Sequence, residues 1–113
     1  MAERIRVAII GAGIGRAHVI GYSQLAEAFE VAAVCDLNAD RAAAAAALAR
    51  GARVVTDLQQ IFNDLSIPLI DICLPPRLHA PVTLAALKAG KHVICEKPLA
   101  GSLAEVDEII ATA

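Results

Sequence analysis

The stretch Val7–His18, VAIIGAGIGRAH, decides how the rest of the chain is read. A short apolar run stops at glycine, a glycine-punctuated turn follows, and then a helix-forming segment begins. Strand, glycine turn and helix in that order open a dinucleotide-binding βαβ unit. The glycines, however, are Gly11, Gly13 and Gly15, a G-x-G-x-G pattern. The usual fingerprint is G-x-G-x-x-G. The segment is either a glycine turn with no ligand or a phosphate loop in another register. A pyrophosphate needs free backbone N–H groups at a helix start and no Cβ in its way. Gly11 permits the sharp exit from the strand, Gly13 permits close approach, and a third glycine lets helix and strand pack closely.

Composition fits that reading. The chain has 113 residues, enough for one domain, and 58% are hydrophobic, yet it holds two Phe, one Tyr and no Trp. The core must be Ala, Val, Ile and Leu, which suits a parallel sheet covered by helices on both faces. The net charge is −2 with no basic patch, so nucleic acid is not an expected partner. No apolar run reaches membrane-span length and no leader-like stretch opens the chain, which points to the cytoplasm. Cys35, Cys73 and Cys95 form no C-x-x-C pair. They read as reduced core cysteines, and no metal site is expected.

Punctuation divides the chain into alternating strands and helices. Strands are expected at Ile5–Ile10, Val31–Cys35, Arg53–Val55, Leu69–Leu74 and His92–Cys95. Helices are expected from Ile14 to about Ala28, from Asn38 to Gly51, from Asp57 to Asn63 with Thr56 as cap, from His79 to Ala89, and from Ser102 onward. Ser102 and Glu105 make a capping-box pattern. Five strands alternating with helices through short connections give an α/β, doubly wound parallel sheet of the Rossmann type. The chain ends one strand short of the six-strand order, so it reads as cut, with an uncovered sheet edge.

Ligands of such sheets bind beyond the carboxyl ends of the strands. The residues found there are the glycine loop, Asp36, Leu74-Pro75-Pro76 with His79, and Glu96-Lys97-Pro98. Asp36 follows strand two and is either a helix cap or an acceptor for the adenosine ribose hydroxyls. A carboxylate there repels a 2′-phosphate, and no arginine immediately follows it, so NAD is favoured over NADP. Lys97 is either a solvent-facing lysine or a partly desolvated proton donor aimed by Pro98. His79 either serves its own helix start or places a polar group near the middle of the cofactor. His18, one turn into the first helix, is a weaker candidate for the crevice.

At Ala89–Ala100, AGKHVICEKPLA, the chain resembles the glucose–fructose oxidoreductase / inositol 2-dehydrogenase / MocA family. The glycine loop, Asp36, the Pro75-x-x-x-His79 spacing and Glu96-Lys97-Pro98 occur in the family's order. The resemblance implies that Gly11, Gly13 and Gly15 hold the pyrophosphate and that Ile14 packs on the nicotinamide side. It implies that Asp36 binds the adenosine ribose, that Pro75 and His79 line the nicotinamide ribose, and that Glu96 shapes the cofactor side. Lys97 would be the catalytic lysine, bonded to the substrate hydroxyl, and Cys95 would be packing. Leu74 departs from the family's usual threonine, removing one hydroxyl contact. Family members are longer, two-domain enzymes whose second domain completes the substrate pocket and the homo-oligomer interface.

The resemblance also chooses the loop register. Its members often carry Ile-Gly and then His three residues after the third glycine, as Ile14, Gly15 and His18 do here. Gly15 is therefore the third glycine and the loop is one residue short between Gly13 and Ile14. The expected activity of the parent protein is NAD-dependent hydride transfer at a secondary alcohol of a sugar, polyol or inositol-like substrate. Two rivals are a non-catalytic NAD(P)-sensing module, against which the intact Lys97 argues, and an NAD-dependent glycosidase of the same family.

Overall fold

A computed structural model describes residues 3–113. Its elements are β1 (Ile5–Ile10), α1 (Gly15–Gln24), β2 (Phe29–Cys35), α2 (Ala39–Ala46), β3 (Arg53–Val55), α3 (Leu58–Phe62), β4 (Leu69–Ile72), a 3₁₀ turn (Pro76–Leu78), α4 (His79–Lys88), β5 (His92–Cys95) and α5 (Leu103–Thr112). The five strands form one parallel sheet in the order β3-β2-β1-β4-β5. That is the order expected of a doubly wound sheet that starts at its centre and winds both ways.

Alternation along the strands supplies two cores. Val7 and Ile9 face one layer, with Val31, Val34 and Leu69, and meet Val19 of α1 and Ala42, Ala45 and Ala46 of α2. Ala8 and Ile10 face the other, with Ile70 and Ile72, and meet Ile61 of α3 and Ala86 of α4. The alanine run of α2 works because a side chain of one carbon brings a helix close to the sheet while keeping high helix propensity. Opposite Val7 and Ala8 the β1–β2 register slips by one residue, so that Val7 pairs with Val31 but Ala8 with Ala33. Ala32 and Ala33 consequently both lie in the second core. This is a β-bulge, and two consecutive alanines are small enough to share a face.

Several boundaries differ from the sequence reading. The first helix stops at Gln24 instead of near Ala28, because the Leu25 N–H turns back to Tyr22 O and Ala28 and Phe29 both donate to Leu25 O. β2 begins two residues early, at Phe29. The alanine helix ends at Ala46, and Gly51 takes its positive φ of 79° in the following turn, not as that helix's stop. The cap of α3 is Asp57, whose carboxylate accepts from the Gln59 N–H, and not Thr56. β4 ends at Ile72, before Pro75 is reached. Ser102 caps α5 as expected, with Glu105 N–H donating to Ser102 Oγ at 3.2 Å, but the return bond of a capping box is shifted by one residue: the Glu105 carboxylate accepts from Gly101 N–H at 3.0 Å.

Candidate functional site

Because all strands run the same way, their carboxyl ends share one edge. The ladder continues one residue past the strands there, with Gly11 N–H donating to Cys35 O and Glu96 N–H to Ile72 O. β1 therefore delivers its chain directly into the glycine turn. Gly11 sits at φ 99°, and a Cβ on it would lie 2.6 Å from Cys73 O. Only glycine fits both conditions. At Gly15 a Cβ would lie 2.7 Å from the Ile9 side chain and against Cys73. Gly15 is thus the helix–strand contact, while Arg16 is exposed. The register with Gly15 as third glycine, and a loop one residue short, is the one the chain adopts.

Gly13 is different, since nothing lies within 4 Å of where its Cβ would be. α1 starts there with Ile14 in the cap position, no side-chain cap and no acid in its first turn. Among the described residues no oxygen accepts from the Gly13 or Ile14 N–H. Unpaired amides at a helix start, beside a space with no Cβ, are what an anionic diphosphate requires. A groove of about 420 Å³ runs from this turn past Asp36 and Arg41 to Leu74, Pro75 and Pro76. The glycine turn and groove fit a dinucleotide.

Asp36 closes one end of that groove. Its Oδ2 accepts from Ala12 N–H at 2.8 Å, and its Oδ1 from Asn38 N–H at 2.8 Å and Arg41 Nη2 at 3.1 Å. Burial alone would raise its pKa, but the two backbone donors and the Arg41 guanidinium outweigh that and hold it below the usual carboxylate value. Arg41 was not foreseen. It stands five residues beyond Asp36, too far along the sequence to count as an immediate neighbour, and the first turn of α2 brings its guanidinium back to that carboxylate.

The other end is built from side chains. His79, at the start of α4, is only 1% exposed. Its ring bridges two carbonyl oxygens, with Nδ1 at 2.5 Å from Pro98 O and Nε2 at 2.6 Å from Leu74 O. It ties the loop after β4 to the loop after β5, instead of offering a free nitrogen to the groove. Leu74 is half-buried and Pro75 exposed. The Lys97–Pro98 peptide is cis, and Lys97 is exposed, so its side chain is not desolvated here. Cys95 is half-buried and donates to Glu96 O, and burial pushes its thiol up. Burial likewise pushes Cys35 up to about 11. All three cysteines are free.

Glu96 is joined to His18, the weaker candidate from the sequence, and through it to Asp71 and Tyr22, which sequence reasoning passed over. His18 Nε2 lies 2.6 Å from Glu96 Oε1, and His18 Nδ1 lies 2.7 Å from Asp71 Oδ2. Tyr22 Oη also donates to Asp71 Oδ2, at 2.8 Å. The available signal was Asp71 itself, one charge inside the apolar run Leu69–Cys73 of a strand buried on both faces. A buried carboxylate requires donors, and both partners of Asp71 Oδ2, His18 and Tyr22, come from α1.

The family model described as the oxidoreductase family with the NAD-binding Rossmann fold matches residues 5–113. The chain belongs to that family. It is 36% identical over 106 residues to levoglucosan dehydrogenase of Pseudarthrobacter phenanthrenivorans, covering 87% of this chain and 27% of that one. Its fold matches myo-inositol dehydrogenase from Lactobacillus casei, solved with NAD(H) and myo-inositol, with a TM-score of 0.89 at 29% identity, covering 97% of this chain and 33% of that one. A 3-ketoreductase from Actinomadura kijaniata, solved with NADP and TDP-benzene, also gives 0.89, at 28% identity, with 98% and 34% covered. The chain spans about a third of the length of these relatives. The family resemblance read at Ala89–Ala100, the Rossmann sheet and the NAD-binding assignment agree with these matches. No helix among the described residues is long and apolar enough to cross a membrane.

Proposed function

We propose that the chain is the cofactor-binding domain of an NAD-dependent dehydrogenase acting on a secondary alcohol of a sugar, polyol or inositol-like substrate. The observation that carries this reading is that Glu96-Lys97-Pro98 stands on the same sheet edge as an uncapped glycine turn and Asp36. The bound nicotinamide would supply the hydride acceptor. The Gly13 and Ile14 amides would hold the pyrophosphate, with Gly11 and Gly15 keeping the turn tight. Asp36 would accept from the adenosine ribose hydroxyls. Ile14, Leu74 and Pro75 would wall the nicotinamide side, while His79 fixes the loops that carry Pro75 and Lys97. Lys97 would bond the reacting oxygen and move its proton, with Glu96 beside it. The rest of the substrate pocket, and a homo-oligomer contact, would come from a second domain. Three free thiols suit a reducing, cytoplasmic setting.

Asp36 favours NAD, and Arg41 reduces the margin by neutralising part of its charge. Calorimetry with NAD and NADP, on wild type and Asp36→Ala, tests this. NAD is expected to bind more tightly to wild type, and the substitution to erase the preference. Tighter NADP binding by wild type would overturn the cofactor choice. The 113-residue chain should not oxidise a panel of sugars and polyols, and turnover by it would overturn the second-domain assignment.

A further inference from the structure

His18 has both ring nitrogens committed to carboxylates, on opposite sides. Asp71 lies on β4 and is 1% exposed, while Glu96 follows β5 with a side chain 36% exposed. The other titratable groups facing this cluster are Tyr22, from α1 itself, Cys95, at the end of β5, and Cys73, just beyond β4, whose thiol donates to Asp71 Oδ1 at 3.5 Å and lies 3.4 Å from His18 Nδ1. Among the described residues His18 is the only cationic partner of either carboxylate.

Ionised carboxylates only accept hydrogen bonds, and a neutral imidazole donates only one. Both contacts, at 2.6 and 2.7 Å, are therefore satisfied together only by the imidazolium. A ring that loses one proton must give up one partner. Asp71 cannot withdraw, being inside a strand and 1% exposed, so the neutral ring keeps its Nδ1–H on Asp71. Glu96 is the partner with access to solvent, and it is the one released.

We propose that His18 is a positioning residue: as imidazolium it pins the Glu96 side chain to Asp71 and so sets the Glu96-Lys97-Pro98 turn, and on losing a proton it lets that turn go. The consequence for catalysis rests on the reading of Lys97 above, but the coupling itself does not. Burial pulls the His18 pKa down, yet the hydrogen bonds and charges of Asp71 and Glu96 more than reverse this and raise it above the ordinary value. The pinned state therefore persists to a higher pH than an ordinary histidine would allow, and is lost as pH rises through the folded value.

An NMR titration of the chain from acid to alkaline pH tests this, following the His18 ring, the Glu96 carboxyl carbon and the Lys97 amide. All three should move through one midpoint above about 6.5. In His18→Gln that transition should vanish from Glu96 and Lys97. Glu96→Gln leaves the Asp71 contact in place and should lower the His18 midpoint by about half a unit or more. A His18 transition that leaves Glu96 and Lys97 unmoved would overturn the proposal, as would an unchanged midpoint in Glu96→Gln. NADH added at both ends of the range separates the two readings. Failure of NADH to bind at any pH sinks the cofactor assignment and leaves the His18 coupling standing.

Discussion

The Gly11–Gly15 turn presents backbone to the crevice, whereas the loops after β4 and β5 present side chains. The first is defined by atoms that are missing: no Cβ at Gly11, where it would strike Cys73 O, and none at Gly15, where it would strike Ile9. The second is defined by partners that must be present, His79 across Leu74 and Pro98, and His18 across Asp71 and Glu96. A site made of backbone tolerates little change in shape and hardly responds to pH. A site made of imidazoles and carboxylates does respond. The two halves should therefore fail in different ways, and substitutions can separate them.

The largest effect is expected from Gly11→Ala, which combines a disallowed φ with a backbone clash. It should cost about 3 kcal/mol or more in urea denaturation. A cost below about 1 kcal/mol would mean that the turn can be rebuilt without glycine. His79→Leu comes next, removing the ring that ties the Leu74 and Pro98 carbonyls together. About 2 kcal/mol is expected by the same measurement. Gly15→Ala meets a side-chain methyl and not backbone, so Ile9 can give a little, and about 1–2 kcal/mol is expected.

The pH response should come from His18 in the side-chain half and from Asp36 beside the glycine turn. The folded His18 pKa is raised, so its contribution to stability is complete below the unfolded value of about 6.5 and is lost as pH rises through the folded value. Asp36 works in the opposite direction. Its folded pKa is lowered, so its contribution is present above about 3.9 and is lost as pH falls through the folded value. Urea midpoints should therefore drop at both ends of the range, with His18→Gln flattening the alkaline limb alone. The smallest stability change belongs to Gly13→Ala, within about 0.5 kcal/mol, because no atom opposes the new methyl. The same substitution should weaken NAD about tenfold or more in calorimetry, since the space is there for the ligand. An unchanged affinity would remove Gly13 from the proposed phosphate contact.

The backbone half was legible in the sequence because its chemistry is local. Strand, turn and helix are consecutive, and a glycine between them announces close packing before any fold is known. Asp36 was legible for the same reason, standing where a strand ends. His18 and Glu96 were legible as candidates one by one, but their joining through Asp71 was not, because His18 is 53 residues from Asp71 and 78 from Glu96 along the chain. Asp71 could have been flagged as a charge in a core strand, but nothing local says that its donors come from α1. The helix ends at Gln24 and Ala46 were missed for a related reason. Tight last turns set by backbone bonds, as at Leu25, leave no residue that marks the stop.

One consequence follows from the bulge at Ala32. Extended without the slip, the pairing of Val7 with Val31 would set Ile10 opposite Val34. With it, Ile10 stands opposite Cys35. The strand thus spends a residue without advancing, and Asp36 is drawn back beside Gly11, where its carboxylate reaches the Ala12 N–H. The glycine turn is one residue shorter than the usual fingerprint and the strand next to it carries one residue more than its partner. The bond from Ala12 to Asp36 is where the two meet, so the spacing between the glycine turn and the Asp36 carboxylate is metered by two alanines in the core.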